Sequence, residues 1–491
     1  MKIEKTPLGK RKYFQRRFCE KSHKIFVSLR KFFTTMQRDS IDFEKTDIAP
    51  LFFKLFVPTL LGLLFGAALN IADGIFVGKG VGSDALAAVN IAAPIFLIGT
   101  GLALLTGTGA SVVAAIHLAK NNVKAANINV TQAVTVSTAL MAVVCTFVYI
   151  FPELTAKMFG GSEKLMPLVK TYFYYGLPCV FVFSFTMAGM FIIRLDGSPK
   201  YAMLTNVVPS VLNIILDYIF VFPLQMGLKG AALATSIAQV TGSIMVAVYF
   251  WKFSKTIKFY RPKFTNTSIH LTMRNVGYMA KVGMSGLIGE LAIMLMIMAG
   301  NFQFMNLLHE DGVAAYSVAC YMFPLVFMFG NAISQSALPI ISFNHGKGIA
   351  ARVSKTLKLS VVFGLACGVV ITALTIVCCR PILQLFLTQG SNAFEIAANG
   401  LPYFAVSFLF FTLNLVLIGY YQSIEKIKKA IIYMTLRGLL FMIPCFIIMP
   451  QIMGEKGLWL AVPMSEFLTF LTIAVVSQHS NRQLKNYEVH P

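Results

Sequence analysis

The sequence predicts an all-α polytopic membrane protein, with twelve transmembrane helices in two six-helix lobes related by a pseudo-twofold axis along the membrane normal. Three observations carry that expectation. Hydrophobic residues make up 57% of the 491 and charged residues only 13%, and mean hydropathy is +0.72; this excludes the several soluble domains that such a length would otherwise suggest. Twelve apolar runs are long enough to cross about 30 Å of hydrocarbon. The two halves of the chain also repeat each other.

In order, the runs cover roughly 51–77, 85–118, 129–151, 165–195, 201–223, 230–251, 274–305, 312–344, 353–379, 396–422, 427–449 and 457–478. Basic residues orient them. Connections after even-numbered runs hold Lys120 and Lys124, Arg194 and Lys200, Lys252 with Lys255, Lys258, Arg261 and Lys263, Lys347 with Arg352 and Lys355, and Lys426 with Lys428 and Lys429. Those after odd-numbered runs hold isolated residues such as Lys79, Lys157 and Lys456. By the positive-inside rule, the even connections and both termini are cytoplasmic. The predicted organisation is a basic cytoplasmic arm over 1–48, a first lobe over 49–252, a basic cytoplasmic linker over 253–273, a second lobe over 274–478 and a cytoplasmic tail over 479–491.

The arm is dense in lysine and arginine (Lys10, Arg11, Lys12, Arg16, Arg17) and lacks the apolar core of a secretory leader. Such a segment lies on the anionic headgroups of membrane lipids. The net charge of +22 is then largely a matter of topology, and no nucleic-acid partner is expected. The eight cysteines fall mostly inside apolar runs, without metal-ligand spacing, so packing is their expected role.

The repeat is anchored at four places. Asp84-Ala-Leu-Ala-Ala opens the second run and Asp311-Gly-Val-Ala-Ala the eighth; Lys120 has its counterpart in Lys347; Gly227-x-Lys-Gly precedes the sixth run and Gly454-x-Lys-Gly the twelfth; Gly176-Leu-Pro in the fourth run matches Gly400-Leu-Pro in the tenth. Each copy holds six runs, an even number, so both copies start on the same side of the membrane. This is a parallel repeat, and the cleft between the halves is the expected substrate path.

Ionisable residues deep inside a membrane segment are functional-site candidates. Those singled out are Asp73, Asp217, Lys281, Glu290 and Glu466. At about 1.5 Å of rise per residue, Asp73 and Asp217 both fall in the outer half. Asn213 precedes Asp217 by one turn on the same helix face, and Thr235, five residues into a run that enters from outside, reaches a similar level. Asp73, Asn213, Asp217 and Thr235 are therefore expected to share a pocket that holds a proton between two carboxylates or coordinates a small hard cation such as Na⁺. The plainer alternative is that the carboxylates cap loops. Glu290 lies near mid-membrane with Met294, Met296 and Met298 beside it, and a lone acid among adaptable side chains suits lipophilic cations. The alternative is an internal ion pair with Lys281. Glu466 has no evident partner and is assigned to lobe packing. Pro58, fifteen residues before Asp73, removes a backbone hydrogen bond and provides either a hinge or a passive kink.

Taken together, NIADGIFVGKGVGSDALAAVNIAAPIF, GSPKYAMLTNVVPSVLNIILDYIF, GLKGAALATSIAQ and SALPIISFNHGKG resemble the MATE (multidrug and toxic compound extrusion) transporters, over about residues 50–478. The resemblance implies two six-helix lobes that exchange an inward-directed Na⁺ or H⁺ gradient for export of amphipathic, often cationic compounds. It implies that Asp73 is the first-helix aspartate, Pro58 the bending proline, Asn213 and Asp217 the fifth-helix pair, Thr235 the sixth-helix threonine and Glu290 the seventh-helix acid of one branch. Met190 stands where one branch has asparagine, and the tenth run has Asn414 but no acid, so coupling is assigned to the first half.

The expected function is a secondary antiporter for toxic organic cations, with small-molecule substrates, membrane lipids as surroundings, no cofactor beyond the coupling ion, a monomeric state and a bacterial inner-membrane location. A lipid-linked-substrate flippase is the alternative, although its cleft would need cations where this chain offers acids. A membrane-embedded enzyme would need paired metal-binding acids or a nucleophile–base set, and His117, His270, His309 and His345 lie scattered near connections.

Overall fold

The structure is a computed structural model that describes residues 41–159, 163–261 and 265–489. Most of the basic arm, with Cys19, lies outside the described residues. Among them, twelve helices are long and apolar enough to cross a membrane, and no strand occurs. We label them α1 (Ile48–Gly80), α2 (Ser83–Ala119), α3 (Val123–Ile150), α4 (Met166–Leu195), α5 (Pro199–Val221), α6 (Gly227–Val248), α7 (Asn266–His309), α8 (310–346), α9 (Ala350–Val377), α10 (Asn392–Ser423), α11 (Ile427–Met453) and α12 (Glu455–Val489).

The boundaries differ from the apolar runs in instructive ways. The helix of α7 begins at Asn266, inside the predicted linker, because Thr265 caps it by accepting a hydrogen bond from the Ser268 amide (3.3 Å). Helices α7 and α8 are separated only by a break at His309 (φ 55°, ψ −150°). Within α10, Asn392–Ala405 and Ser407–Ser423 are separate stretches, after Pro402 has removed a backbone donor. Short π-helical turns occupy Tyr249–Phe253 at the end of α6 and Leu436–Leu440 within α11.

The internal repeat is visible in three dimensions. Gly227 and Gly454 both take φ of +59°, a left-handed conformation for which glycine is favoured, and this accounts for the repeated Gly-x-Lys-Gly. Asp84 at the start of α2 pairs with Lys164 (2.8 Å). In the same place of the second half, Asp311 accepts a hydrogen bond from Asn392 (2.7 Å).

The side of the bundle carrying Lys120, Lys258, Lys347 and Lys426 is called the basic face below. In the half nearer that face, the lobes meet backbone to backbone along α2 and α7. A β-carbon on Gly109 would overlap the carbonyl oxygen of Met279, and one on Gly283 would overlap that of Leu105. Without a hydrophobic drive between helices in lipid, such close approach of small residues is what holds helices together. Side chains add to the closure: Arg194 donates to Gln335 (2.7 Å) and Gln422 donates to Thr108 (3.0 Å), each across the lobes.

Helix α1 bridges both lobes. Near the basic face, Phe52 and Phe56 pack on Phe363 of α9, with ring centroids 5.9 and 5.0 Å apart. The segment just before α1 is fastened to the second half by Arg352, which donates to the carbonyls of Phe43 (3.0 Å) and Thr46 (2.6 Å). Beyond Pro58 the helix gains first-lobe partners, while Leu60 and Leu63 still pack on the second-lobe core: Gly62 lies against Met203 and Asn206 of α5, and Phe76 packs on Phe222 (5.9 Å). The helix is continuous through Pro58, which stands where α1 begins to pass from one lobe to the other.

Candidate functional site

Helices α1, α5 and α6 bring together the residues expected at the coupling site. Asn213 and Asp217 are fully buried on one face of α5. Asn213 Nδ2 donates to Thr235 Oγ1 (3.3 Å), whose own hydroxyl donates to the Ala231 carbonyl one turn back (3.0 Å). Asp217 and Asp73 are close enough for their charges to act on one another. Tyr172 of α4 is also buried and within electrostatic reach of both. Sequence reasoning missed this tyrosine, because a tyrosine in an apolar run looks like ordinary packing.

The cluster is short of donors. Asp73 Oδ1, Asn213 Oδ1 and both carboxylate oxygens of Asp217 are buried and accept no hydrogen bond among the described residues. An oxygen left so in low dielectric loses a desolvation free energy of about 1–3 kcal/mol, more if it is charged. Four such oxygens from three residues make a cradle for something positive, either a proton or a hard cation with oxygen ligands. No group of three His, Cys, Asp or Glu that could hold a metal ion occurs among the described residues, so a bound cation there would rely on Asn213 and its neighbours beside the two carboxylates.

Glu290 lies apart from this cluster, on α7. It lines a small cavity of about 60 Å³ between the lobes, together with Ser285, Asn331, Ser334, Gln335 and Gln422, and with Leu104, Phe327, Leu415 and Met434 as apolar wall. Among the described residues Glu290 forms no ion pair with Lys281 or any other cation. Of its three sequence neighbours, Met296 is packed in the core while Met294 and Met298 are exposed; the methionine that lines the cavity is Met434, from α11.

Glu466, expected to lack a partner, has two. Arg437 Nε donates to Glu466 Oε1 (2.6 Å) and Asn414 Nδ2 donates to Oε2 (2.8 Å), with the guanidinium 4.1 Å from the centre of the Phe411 ring. All three polar residues are buried. The missed residue is Arg437, a cation in the middle of the eleventh apolar run; its charge alone was the available signal. It lies in the π-helical turn of α11, a local widening that recurs at special sites in helices.

Comparison with known proteins fits this geometry. The MatE family profile matches the chain twice, over residues 58–219 and 287–447. The chain belongs to the MatE family. It is therefore a transporter rather than an enzyme, and the double match coincides with the internal repeat. Among curated MATE relatives it is 24% identical over 442 residues to the Multidrug export protein MepA of Staphylococcus aureus, covering 88% of this chain and 94% of that one. It is 23% identical over 435 residues to a FAD transporter of Shewanella oneidensis, covering 86% and 92%. Among solved structures, a MOP superfamily transporter from Pyrococcus furiosus, described as having a binding pocket of reverse polarity, superposes with a TM-score of 0.82 at 20% identity, covering 90% of this chain and 97% of that one. The Vibrio cholerae MATE transporter VcmN in its bent form gives 0.80 at 19%, covering 90% and 98%. At these identities the structures speak for the fold.

Proposed function

We propose that this MATE protein is a secondary antiporter that exports amphipathic, often cationic compounds in exchange for Na⁺ or H⁺, with coupling in the first lobe and cargo in the inter-lobe cavity. The observation that carries the proposal is the set of orphaned oxygens on Asp73, Asn213 and Asp217. Buried carboxylates of this kind exist at a free-energy cost that function must justify. Thr235 orients Asn213 toward the cluster. Glu290 supplies the negative charge that selects organic cations, and the mixed polar and apolar wall leaves shape selection loose. That acid opposes an anionic cargo such as the one in the name of the Shewanella relative.

Alternating access follows from the packing. With the basic face cytoplasmic, as the positive-inside rule gives, the α2–α7 contact closes the inner side. Helix α1 is fastened to the second lobe by Phe52 and Phe56 and carries Asp73 in the first lobe. Ion binding at Asp73 biases the two arrangements of α1 about Pro58, and the lobes rock in response. Two sites are coupled in this way only if the ion prefers one arrangement over the other.

The test is efflux of a fluorescent organic cation from proteoliposomes, with Na⁺ and proton gradients imposed separately. One gradient is expected to drive efflux and thereby name the coupling ion. Indifference to both, in correctly oriented and ligand-binding protein, would overturn antiport and turn attention to lipid-linked substrates.

A further inference from the structure

A second cavity opens at the basic face, away from both sites above. Its volume is about 370 Å³, and its wall includes His117 and Lys120 from the end of α2, Asn129 from α3, Arg274 and Tyr278 from α7, and Glu425 between α10 and α11. The two lobes thus each contribute a cation, Lys120 from the first and Arg274 from the second. Neither forms an ion pair among the described residues. The acid in the wall, Glu425, already accepts a hydrogen bond from the Tyr278 hydroxyl (2.9 Å). Lys120 and Arg274 therefore face a shared space with a surplus of positive charge, and a guanidinium beside an ammonium suits a phosphate oxygen fork.

The surroundings favour a phosphate that carries acyl chains. Leu271, Arg274 and Tyr278 follow one another at i, i+3 and i+7 and so share a face of α7. Leu271 and Tyr278 are 40% and 41% exposed, which sets partly exposed apolar surface on both sides of the arginine along α7. A cavity at the end of membrane-spanning helices, with cations at the headgroup level and apolar surface beside them, matches an acidic phospholipid.

We propose that this cavity binds the phosphate headgroup of an acidic phospholipid, which bridges the lobes and holds them closed at the basic face. The bridge would act next to the Gly109–Met279 contact, so separating the lobes on this side would require giving up the lipid. The inference needs the membrane placement of the chain but not antiport. A binding assay in detergent involves no gradient, so failure of the transport reading leaves it standing and the reverse holds too.

The experiment uses the full chain in detergent, delipidated and titrated with phosphatidylglycerol or phosphatidylcholine, with binding followed by native mass spectrometry. Phosphatidylglycerol is expected to be retained in preference, and Lys120→Gln with Arg274→Gln together to weaken it by on the order of tenfold, as loss of charge-assisted hydrogen bonds would. Glu425→Gln, which removes the opposing charge, is expected to tighten it, and this variant decides the matter if the double substitution fails to fold. Equal retention of both lipids, or Glu425→Gln weakening phosphatidylglycerol, overturns the proposal. Inorganic phosphate competing as well as the lipid would show a soluble-anion site and overturn the lipid assignment.

Discussion

In the first lobe, Asp73 and Asp217 hold buried carboxylate oxygens with no partner among the described residues, and in the second lobe Glu466 has a partner on each oxygen. Among the described residues, Asp217 leaves both of its oxygens unmatched, while Glu466 receives Arg437 on one oxygen and Asn414 on the other. Both sites are fully buried and lie in related halves of a repeated fold. What differs is the presence of a fixed cation. A carboxylate locked to a guanidinium already has its counter-charge and gains little from a mobile one. A carboxylate with neither a cation nor hydrogen-bond donors must obtain its counter-charge from outside, unlike the buried Asp196, which accepts from Tyr249 and from the Thr256 and Ile257 amides, and this is what a coupling site requires. The comparison teaches that burial of an acid does not by itself mark an ion path; the acid must also lack a resident partner.

The largest expected effect tests the paired side. Arg437→Met leaves Glu466 charged and buried, and should lower stability by about 3–5 kcal/mol, read as a loss of thermal midpoint in detergent. Replacing both partners, as Arg437→Met with Glu466→Leu, should recover much of that loss, since a well-packed apolar pair of similar volume is often neutral. Asp217→Asn removes a charge that has no partner, and should leave the midpoint unchanged or raised. A similar loss for Asp217→Asn and Arg437→Met would erase the distinction between the lobes.

A smaller effect is expected at the cargo cavity. Glu290→Gln keeps the side-chain volume and removes the charge, so export of cationic compounds should fall several-fold while that of neutral ones holds, in a gradient of roughly 1–2 kcal/mol for a charge in a partly wet cleft. Matched losses for the two kinds of cargo, measured side by side in vesicles, would make Glu290 a packing residue. The smallest effect belongs to Thr235→Val, which deprives Asn213 of one hydrogen bond. At about 1 kcal/mol the coupling ion should bind about fivefold more weakly; an unchanged ion dependence of transport would remove Thr235 from the site.

Much of the fold was legible because hydrophobic length and a repeat are properties of the sequence itself. The Gly-x-Lys-Gly pair anchored the repeat in the sequence, and in the structure Gly227 and Gly454 share a positive φ. The first-lobe cluster was legible for a similar reason: depth along a helix follows from rise per residue, so Asp73, Asn213, Asp217 and Thr235 could be set at one level. Partners across helices were not legible in that way. Glu466 meets Arg437 only because α11 and α12 pack together with a π-helical turn at Leu436–Leu440, and no spacing in the chain encodes that. The division of α1 between lobes was hidden as well, since Phe52 and Phe363 are brought together by the tertiary fold alone. Nor does sequence order reveal that Met434, rather than the methionines flanking Glu290, lines the cavity.

The most direct measurement is gradient-driven export by Asp217→Asn in proteoliposomes, beside wild-type protein and with substrate binding checked on the same preparations. The variant should bind the fluorescent cation and remain folded, yet respond to neither a Na⁺ nor a proton gradient. Export at the wild-type rate by Asp217→Asn, under the gradient that drives the wild type, would contradict a coupling site in the first lobe.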